Sequence, residues 1–257
     1  MSPPGPRIAS LVPSLTELVV ALGLGARLVA RTGFCIHPAE ALAAVPKVGG
    51  TKDVNLAKLR RLAPTHVLVN VDENRRETVE ALRAFVPEIV VTHPCGPADN
   101  LALLDQFEAV FGAVEPVVAV RAAALRDELG AALAAGPAGP AQRVLYLIWR
   151  APWMTVARDT YIAGMLASVG WQTLPAVDGG PSGAARYPVV EPGAPWLAEV
   201  DRVLLSSEPY RFDAGHVAEA QALCPGARVQ RVDGELLSWY GPRAATGLRY
   251  LRRLAAG

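Results

Sequence analysis

The chain has 257 residues, 51% of them hydrophobic, and its 25 Lys or Arg against 24 Asp or Glu give a formal net charge of +1. That balance gives no electrostatic reason to expect nucleic acid or an anionic membrane as partner, and the apolar fraction excludes a disordered chain. The 3 cysteines lie far apart, which argues against a disulfide scaffold and a structural zinc site. The length suits one large domain or two lobes of roughly 100 to 150 residues each.

Strand and helix patterns alternate along the first part of the chain. Ile8 to Val12 is a β-like apolar run, and a helix follows from Pro13, where Ser14 and Glu17 have the spacing of a capping box. The next elements are a short extended segment over 28–31, a helix capped by Asn55, a strand over 65–71, a helix over 76–85, a strand over 89–92, and a helix over 101–111 capped by Asn100. Such alternation predicts a parallel sheet with helices on its faces.

A long helix and a second run of the same pattern follow. Pro116 stands at the first position of a helix that continues to Ala135 and would be about 30 Å long. The alternation restarts with strands over 143–148, 202–205 and 228–232 and helices over 160–169, 214–223 and 243–254. We therefore predict an α/β protein whose two lobes, residues 7–114 and 141–256, contain parallel sheets and are bridged by one backbone helix, residues 115–136. One continuous doubly wound sheet is the alternative.

Aromatic side chains concentrate in the loops that follow predicted strands. Trp149 and Trp153 share one such loop, Tyr210 lies in the next, and Trp239 follows the strand that ends at Val232. Ligands bind beyond the carboxyl ends of the strands in open α/β sheets, and aromatic faces suit a large, flat or partly apolar ligand. These residues are candidate ligand-binding residues, with the alternative that they plug the ends of the core.

Two Cys and His pairs are the nearest approach to a reactive or metal-binding motif. Cys35 and His37 share a loop at i, i+2 spacing, and His93 and Cys95 repeat that spacing, so a four-ligand metal site or an activated thiolate is conceivable. Phosphate-binding, nucleophile-elbow and zinc-protease motifs are absent, so we expect no enzymatic activity.

Two glutamates occupy comparable positions in the two halves. Glu73 and Glu208 each follow a predicted strand. From the residues alone, each is a solvated loop carboxylate or a charge that favours a helix N-terminus.

The opening residues raise the question of export. Residues 1–7 are short and proline-rich, without a basic segment, a long apolar stretch and a small-residue cleavage site, so no signal peptide is visible. No window reaches the ~18 apolar residues that a membrane span needs.

The order of motifs resembles a known family over nearly the whole chain. The segment over 7–18 (RIASLVPSLTEL), the ALG at 21–23 and the LVART at 28–32 closely resemble the opening of the solute-binding proteins of cobalamin, haem and ferric-siderophore importers, the helical-backbone metal receptor superfamily. VPKVGG at 45–50 and LAKLRRLAPTHVLV at 56–69 match its next blocks, and weaker matches extend into the second half.

The resemblance implies a ligand cleft between two α/β lobes, with little hinge movement, and delivery of the ligand to an ABC permease. It implies that Phe34, Trp149, Trp153, Tyr210 and Trp239 contact the ligand and that Glu73 and Glu208 dock onto permease arginines. The bound ligand, which is no covalent cofactor, is expected to be cobalamin-like first and a ferric siderophore or haem second. His37 or Cys35 could coordinate a metal chelate. We expect a monomer.

A second hypothesis keeps the same fold for another purpose. It is a cytosolic protein that handles a metal or cofactor, or an enzyme that uses Cys35 and His37. The resemblance places the protein in the periplasm or at the cell surface, whereas the lack of a visible signal peptide favours the cytoplasm.

Overall fold

A computed structural model describes residues 5–257 of the chain. The expectation about a signal peptide rests partly on residues 1–4, which lie outside the described residues. The strands are β1 (Ile8–Ser10), β2 (Leu28–Arg31), β3 (His66–Asn70), β4 (Glu88–Thr92), β5 (Gln142–Leu147), β6 (Trp171–Thr173), β7 (Arg202–Ser206) and β8 (Arg228–Val232). The α-helices are α1 (Pro13–Ala21), α2 (Ala39–Leu42), α3 (Leu56–Arg61), α4 (Arg76–Leu82), α5 (Asp99–Phe111), α6 (Val117–Ala134), α7 (Tyr161–Ala167), α8 (Ala214–Leu223), α9 (Gly234–Ser238) and α10 (Ala244–Ala256).

The strands form two parallel four-stranded sheets. The first has the order β2-β1-β3-β4 and the second the order β6-β5-β7-β8. Because all strands of a sheet run the same way, their carboxyl ends meet at one edge, which we call the carboxyl edge of that sheet. The predicted fold class, α/β with two parallel sheets, is confirmed, and residues 5–257 do not form the alternative single continuous sheet.

The chain divides into two compact units, one for each sheet. The first unit comprises residues 5–94, Asn100–Gly130 and Tyr240–Pro242, and the second comprises Cys95–Asp99, Ala131–Trp239 and Arg243–Gly257. The segment Cys95–Asp99 from the first half of the sequence therefore belongs to the second unit, and Tyr240–Pro242 from the second half belongs to the first unit. No local sequence pattern predicts this assignment. The predicted segment boundaries at 114, 136 and 141, and the bridging role of the helix, stay predictions.

Each unit has its own hydrophobic core beside its sheet. In the first unit the core joins strand residues such as Ala9, Val67 and Val69 to Leu59 and Leu82 from helices. In the second unit the core contains Leu145, Leu147, Val203 and Leu205 from strands and Ala220 from α8. Strands that bury both faces need such continuous apolar runs, which is why the valine- and leucine-rich segments could be recognised.

Helix starts show where short-range patterns succeed and fail. Asn55 caps α3 as predicted, since its side chain accepts a hydrogen bond from Lys58 N at 2.8 Å. The predicted capping box at Ser14 is wrong: Val12 is the N-cap, and Pro13 occupies the first helical position, which suits its missing N–H. Asn100 is not a cap either, because it lies inside α5 and its Oδ1 accepts from Gly241 N at 2.5 Å.

Within residues 5–257, no helix combines the length and the apolar character that crossing a membrane requires.

Candidate functional site

An exposed apolar loop follows β2 in the first unit. Phe34 is 63% exposed and Ile36 49% exposed, although both are large hydrophobic side chains. The loop is nevertheless held firmly, because buried Arg31 donates from Nη1 to Cys35 O at 2.9 Å and from Nε to Leu42 O at 3.3 Å. A fixed loop with apolar tips in solvent is typical of a contact surface for a ligand or partner.

Cys35 anchors this loop from the inside. Its side chain is completely buried, and its Sγ lies 3.1 Å from Thr32 Oγ1. Burial raises the pKa of Cys35, so the thiol stays protonated, whereas a metal ligand or a nucleophile must be a thiolate. Burial therefore argues against Cys35 as a metal ligand and as an activated thiolate, and both roles stay predictions.

The predicted four-ligand site is not formed. Among residues 5–257, no group of three or more His, Cys, Asp or Glu side chains is placed to hold a metal ion. His37 is half-buried at the surface of its loop, and its role toward a chelated metal stays a prediction.

Glu73 lies on a turn that two asparagines build at the carboxyl edge of the first sheet. Asn74 Oδ1 accepts from Asn70 N at 2.9 Å, and Asn74 Nδ2 donates to Leu11 O at 3.3 Å and to Thr51 O at 3.0 Å. The half-buried Glu73 accepts from the hydroxyl of Tyr240 at 3.1 Å. Burial, together with the charge of Glu73, raises the pKa of Tyr240 well above its usual value, so Tyr240 is a neutral donor.

Glu208 is held at the carboxyl edge of the second sheet by two donors. Its Oε1 accepts from the hydroxyl of Ser238 and from Trp239 Nε1, the latter at 2.8 Å. Burial raises the pKa of Glu208, and the two hydrogen bonds oppose that shift in part. Gly234 permits this close approach, because a Cβ there would collide with Ser206 Oγ and lie 2.8 Å from Glu208 Cγ.

Two of the candidate tryptophans are packed into the second unit. Trp153 is 8% exposed and stacks on Phe212 at 5.9 Å between ring centroids, with Arg150 4.6 Å from the Trp153 centroid. Trp239 is also buried, and Arg243 lies 4.6 Å from its ring centroid. Their surroundings favour the alternative that they close the end of the core, and ligand contact by either stays a prediction.

Trp149 and Tyr210 are placed differently, at the surface of the same carboxyl edge. Trp149 follows β5 and is 41% exposed, and Tyr210 follows the neighbouring strand β7 and is half-buried. The two rings meet edge to face at 5.5 Å. The hydroxyl of Tyr210 lies 3.0 Å from His216 Nε2, and His216 Nδ1 lies 2.8 Å from Asp213 Oδ1.

Comparison with known proteins finds similarity to vitamin B12-binding and haem-binding proteins. No protein-family model matches the chain. The vitamin B12-binding protein of Vibrio vulnificus (strain YJ016) is 26% identical over 217 residues, which are 83% of this chain and 72% of that protein. The periplasmic vitamin B12-binding protein BtuF of Vibrio cholerae superposes with a TM-score of 0.79 at 21% identity, covering 98% of this chain and 97% of that one. The periplasmic haem-binding protein RhuT of Roseiflexus sp. RS-1 gives a TM-score of 0.76 at 21% identity, with 98% of both chains covered.

The chain has the fold of these periplasmic binding proteins. The resemblance drawn from the motifs at 7–18, 45–50 and 56–69 is thereby confirmed.

Several residues that build the site were missed from the sequence. They are the residues that hold the loops in place, namely Arg31, Asn70, Asn74, Asp213, His216 and Ser238. The Asp213 and His216 spacing at the start of α8 is that of a capping box and was a usable signal, since Asp213 does cap this helix. Ser238 acts through Glu208, and Asn74 acts partly through Leu11 and Thr51, which are distant in sequence and leave no local pattern. Arg31 and Asn70 bond to nearby loop residues, but no recognised motif marks those contacts.

Proposed function

We propose that the protein is a non-enzymatic solute-binding protein that delivers a metal-containing small molecule to an ABC importer. The observation that carries the proposal is the likeness in fold, over 98% of the chain, to periplasmic proteins that bind vitamin B12 and haem. The ligand that we propose first is cobalamin-like, and a ferric siderophore or haem comes second. The proposed site of action is the periplasm, as for these proteins.

The ligand contacts that we propose are the exposed aromatic residues of each carboxyl edge. In the first unit this is Phe34, and in the second unit it is Trp149 with Tyr210. Large aromatic faces bury much area while few torsions are frozen, so they suit a flat macrocycle. Trp153 and Trp239 contribute indirectly, because they support the loops that carry the exposed residues.

Glu73 and Glu208 are proposed to dock onto arginines of the permease. Both donors to Glu208 use Oε1, so Oε2 can accept from an incoming guanidinium without breaking the contacts to Ser238 and Trp239. A carboxylate fixed before docking loses less side-chain entropy than a mobile one. Such pairs set orientation and association rate more than affinity.

No observation favours the hypothesis of a cytosolic metal-handling protein or enzyme. It relied on Cys35 and His37, and the Cys35 thiol is buried and protonated.

The proposal is tested by thermal unfolding of the ligand-free protein with cyanocobalamin, haemin and a panel of ferric siderophores. A ligand at 100 times its Kd that binds only the native state adds about 2.7 kcal/mol to the free energy of unfolding. For a protein of this size that raises Tm by at least about 5 °C. If none of the three ligand classes raises Tm or quenches tryptophan fluorescence, the proposed function is wrong.

A further inference from the structure

A row of three apolar side chains lies at the surface of the second unit, at the carboxyl edge where Trp149 follows β5. Two short antiparallel bridges pair Trp149 with Met154 and Met154 with Val189. Residues that are paired directly across an antiparallel bridge point to the same face. Trp149 is 41% exposed, Met154 is half-buried and Val189 is 46% exposed, so this face is open to solvent. We call these three residues the apolar row.

The burial of the neighbouring residues supports this assignment of faces. Successive residues of an extended segment point to opposite faces. The residues next to the apolar row in sequence that are at most 8% exposed are Ile148, Trp153, Thr155 and Val190. One face of the three segments therefore belongs to the interior of the second unit, and the apolar row is their outward face.

Backbone hydrogen bonds hold the apolar row in place. Met154 N donates to Trp149 O at 3.2 Å, which joins the first two segments, and Thr155 N donates to Pro188 O at 3.0 Å, which joins the third. Neighbouring extended segments lie about 4.8 Å apart, so the row is roughly 10 Å wide. A surface that is ordered before binding loses little entropy when a ligand covers it.

The size and the chemistry of the apolar row decide what can cover it. A stable protein interface buries about 800 Å² on each partner, whereas even a large aromatic side chain supplies at most about 250 Å². Three side chains, one of them a valine, are too few to hold a protein partner. A flat ring system of similar width fits, because the indole of Trp149 and the thioether of Met154 both form favourable contacts with extended π-systems.

We propose that Met154 and Val189 are ligand-contact residues that form, together with Trp149, a floor for one face of a flat macrocycle. The inference rests on the proposed function and narrows its ligand class to flat macrocycles, corrinoid or porphyrin, over ferric siderophores. A siderophore wraps its iron in polar chelating groups and presents no flat apolar face of this width, so it would leave the apolar row in water.

The affinity for a macrocycle tests the floor through Val189. Val189→Asp places a charge without a partner against the face of the ring, so the Kd for cyanocobalamin or haemin should rise at least about tenfold. Val177→Asp is the matched control, because Val177 is 42% exposed in the same unit and lies outside the apolar row. Both valines are exposed, so both variants should fold as wild type does. A Val189→Asp protein with wild-type affinity, or an equal loss in both variants, overturns the proposal.

The NMR signals of two methionine methyl groups report the contact directly. Cyanocobalamin and zinc protoporphyrin are diamagnetic, and the ring current of a macrocycle shifts the signal of a methyl group that lies on its face. We expect the Met154 methyl signal, assigned through Met154→Leu, to shift on saturation with the macrocycle that binds. The methyl signal of Met165, which is completely buried, should stay in place. A Met154 signal that does not move in the saturated complex overturns the proposal.

These outcomes separate the proposal from the function on which it rests. If a macrocycle raises Tm but neither Val189→Asp nor the Met154 signal responds, the proposed function holds and the floor is wrong. If only a ferric siderophore raises Tm, the proposed function also holds and the restriction to macrocycles is wrong. If no ligand of the three classes binds, both are wrong.

Discussion

Replacing Glu208 by Gln removes a charge from the second unit while it keeps both hydrogen bonds. The carbonyl oxygen of Gln can accept from Ser238 and from Trp239 Nε1 as Oε1 does now. Because burial raises the pKa of Glu208 in the folded state, the native protein holds this proton more tightly than the unfolded chain. Wild type therefore loses stability as the pH rises from the unfolded pKa, about 4.3, through the folded pKa. The variant has no such loss.

The size of the effect follows from linkage. Each unit by which the folded pKa of Glu208 is raised corresponds to about 1.4 kcal/mol in favour of Glu208→Gln at neutral pH. That amounts to roughly 3 to 6 °C in Tm for a chain of this length. Below about pH 4 the two proteins should have equal stability, since both side chains are then uncharged.

The assay is urea unfolding of both proteins between pH 4 and pH 8. Glu219→Gln is the matched control, because Glu219 forms an exposed ion pair with Arg150, and its loss should cost less than about 1 kcal/mol. A Glu208→Gln protein that is less stable than wild type at pH 7, or equally dependent on pH, would refute the argument from burial.

Three further predictions concern the residues that build and present the loops. Brief alkylation of the native protein should label half-buried Cys95 well before buried Cys35, as read by peptide mass spectrometry; rapid labelling of Cys35 would restore the reactive-thiol hypothesis. Asn74→Ala should lower the free energy of unfolding by about 1 to 3 kcal/mol in denaturant titrations, because two buried backbone groups lose their partner, and an unchanged value contradicts that role. Trp153→Ala should lower the free energy of unfolding by about 3 to 5 kcal/mol because Trp153 is buried. Trp149→Ala should lower it by less than about 1 kcal/mol and weaken ligand binding, because Trp149 is exposed. Equal losses of stability in the two variants would contradict the assignment of Trp153 to the core and Trp149 to the surface.

The fold could be predicted from the sequence because its determinants are local. Buried strands such as β3 are continuous apolar runs, and the cap of α3 by Asn55 needs only neighbouring residues. The strand β6 was missed because three residues are too few to show a period. The start of α1 at Pro13 was predicted correctly, but its cap was not: the Ser14 and Glu17 spacing has the pattern of a capping box, whereas Val12 is the N-cap and Pro13 already occupies the first helical position.

The sequence was enough to predict which loops carry the site, but not which of their side chains are exposed or which residues contact them. Trp149 and Trp153 stand four residues apart in one loop, yet one is exposed and the other is stacked inside the unit. The donors to Glu208 come from residues 30 and 31 positions away, and the buried state of Cys35 depends on the strands around it. Side-chain direction is set by tertiary packing, which the spacing of residue types does not encode.

The central claim, that the protein binds a metal-containing macrocycle through its exposed aromatic residues, is tested most directly by calorimetric titration of wild type and Trp149→Ala with cyanocobalamin. The account predicts saturable binding of one ligand per chain to wild type, and an affinity at least about fivefold weaker for the variant, a change of 1 kcal/mol or more. No heat of binding with wild type, or the same affinity for both proteins, would contradict it.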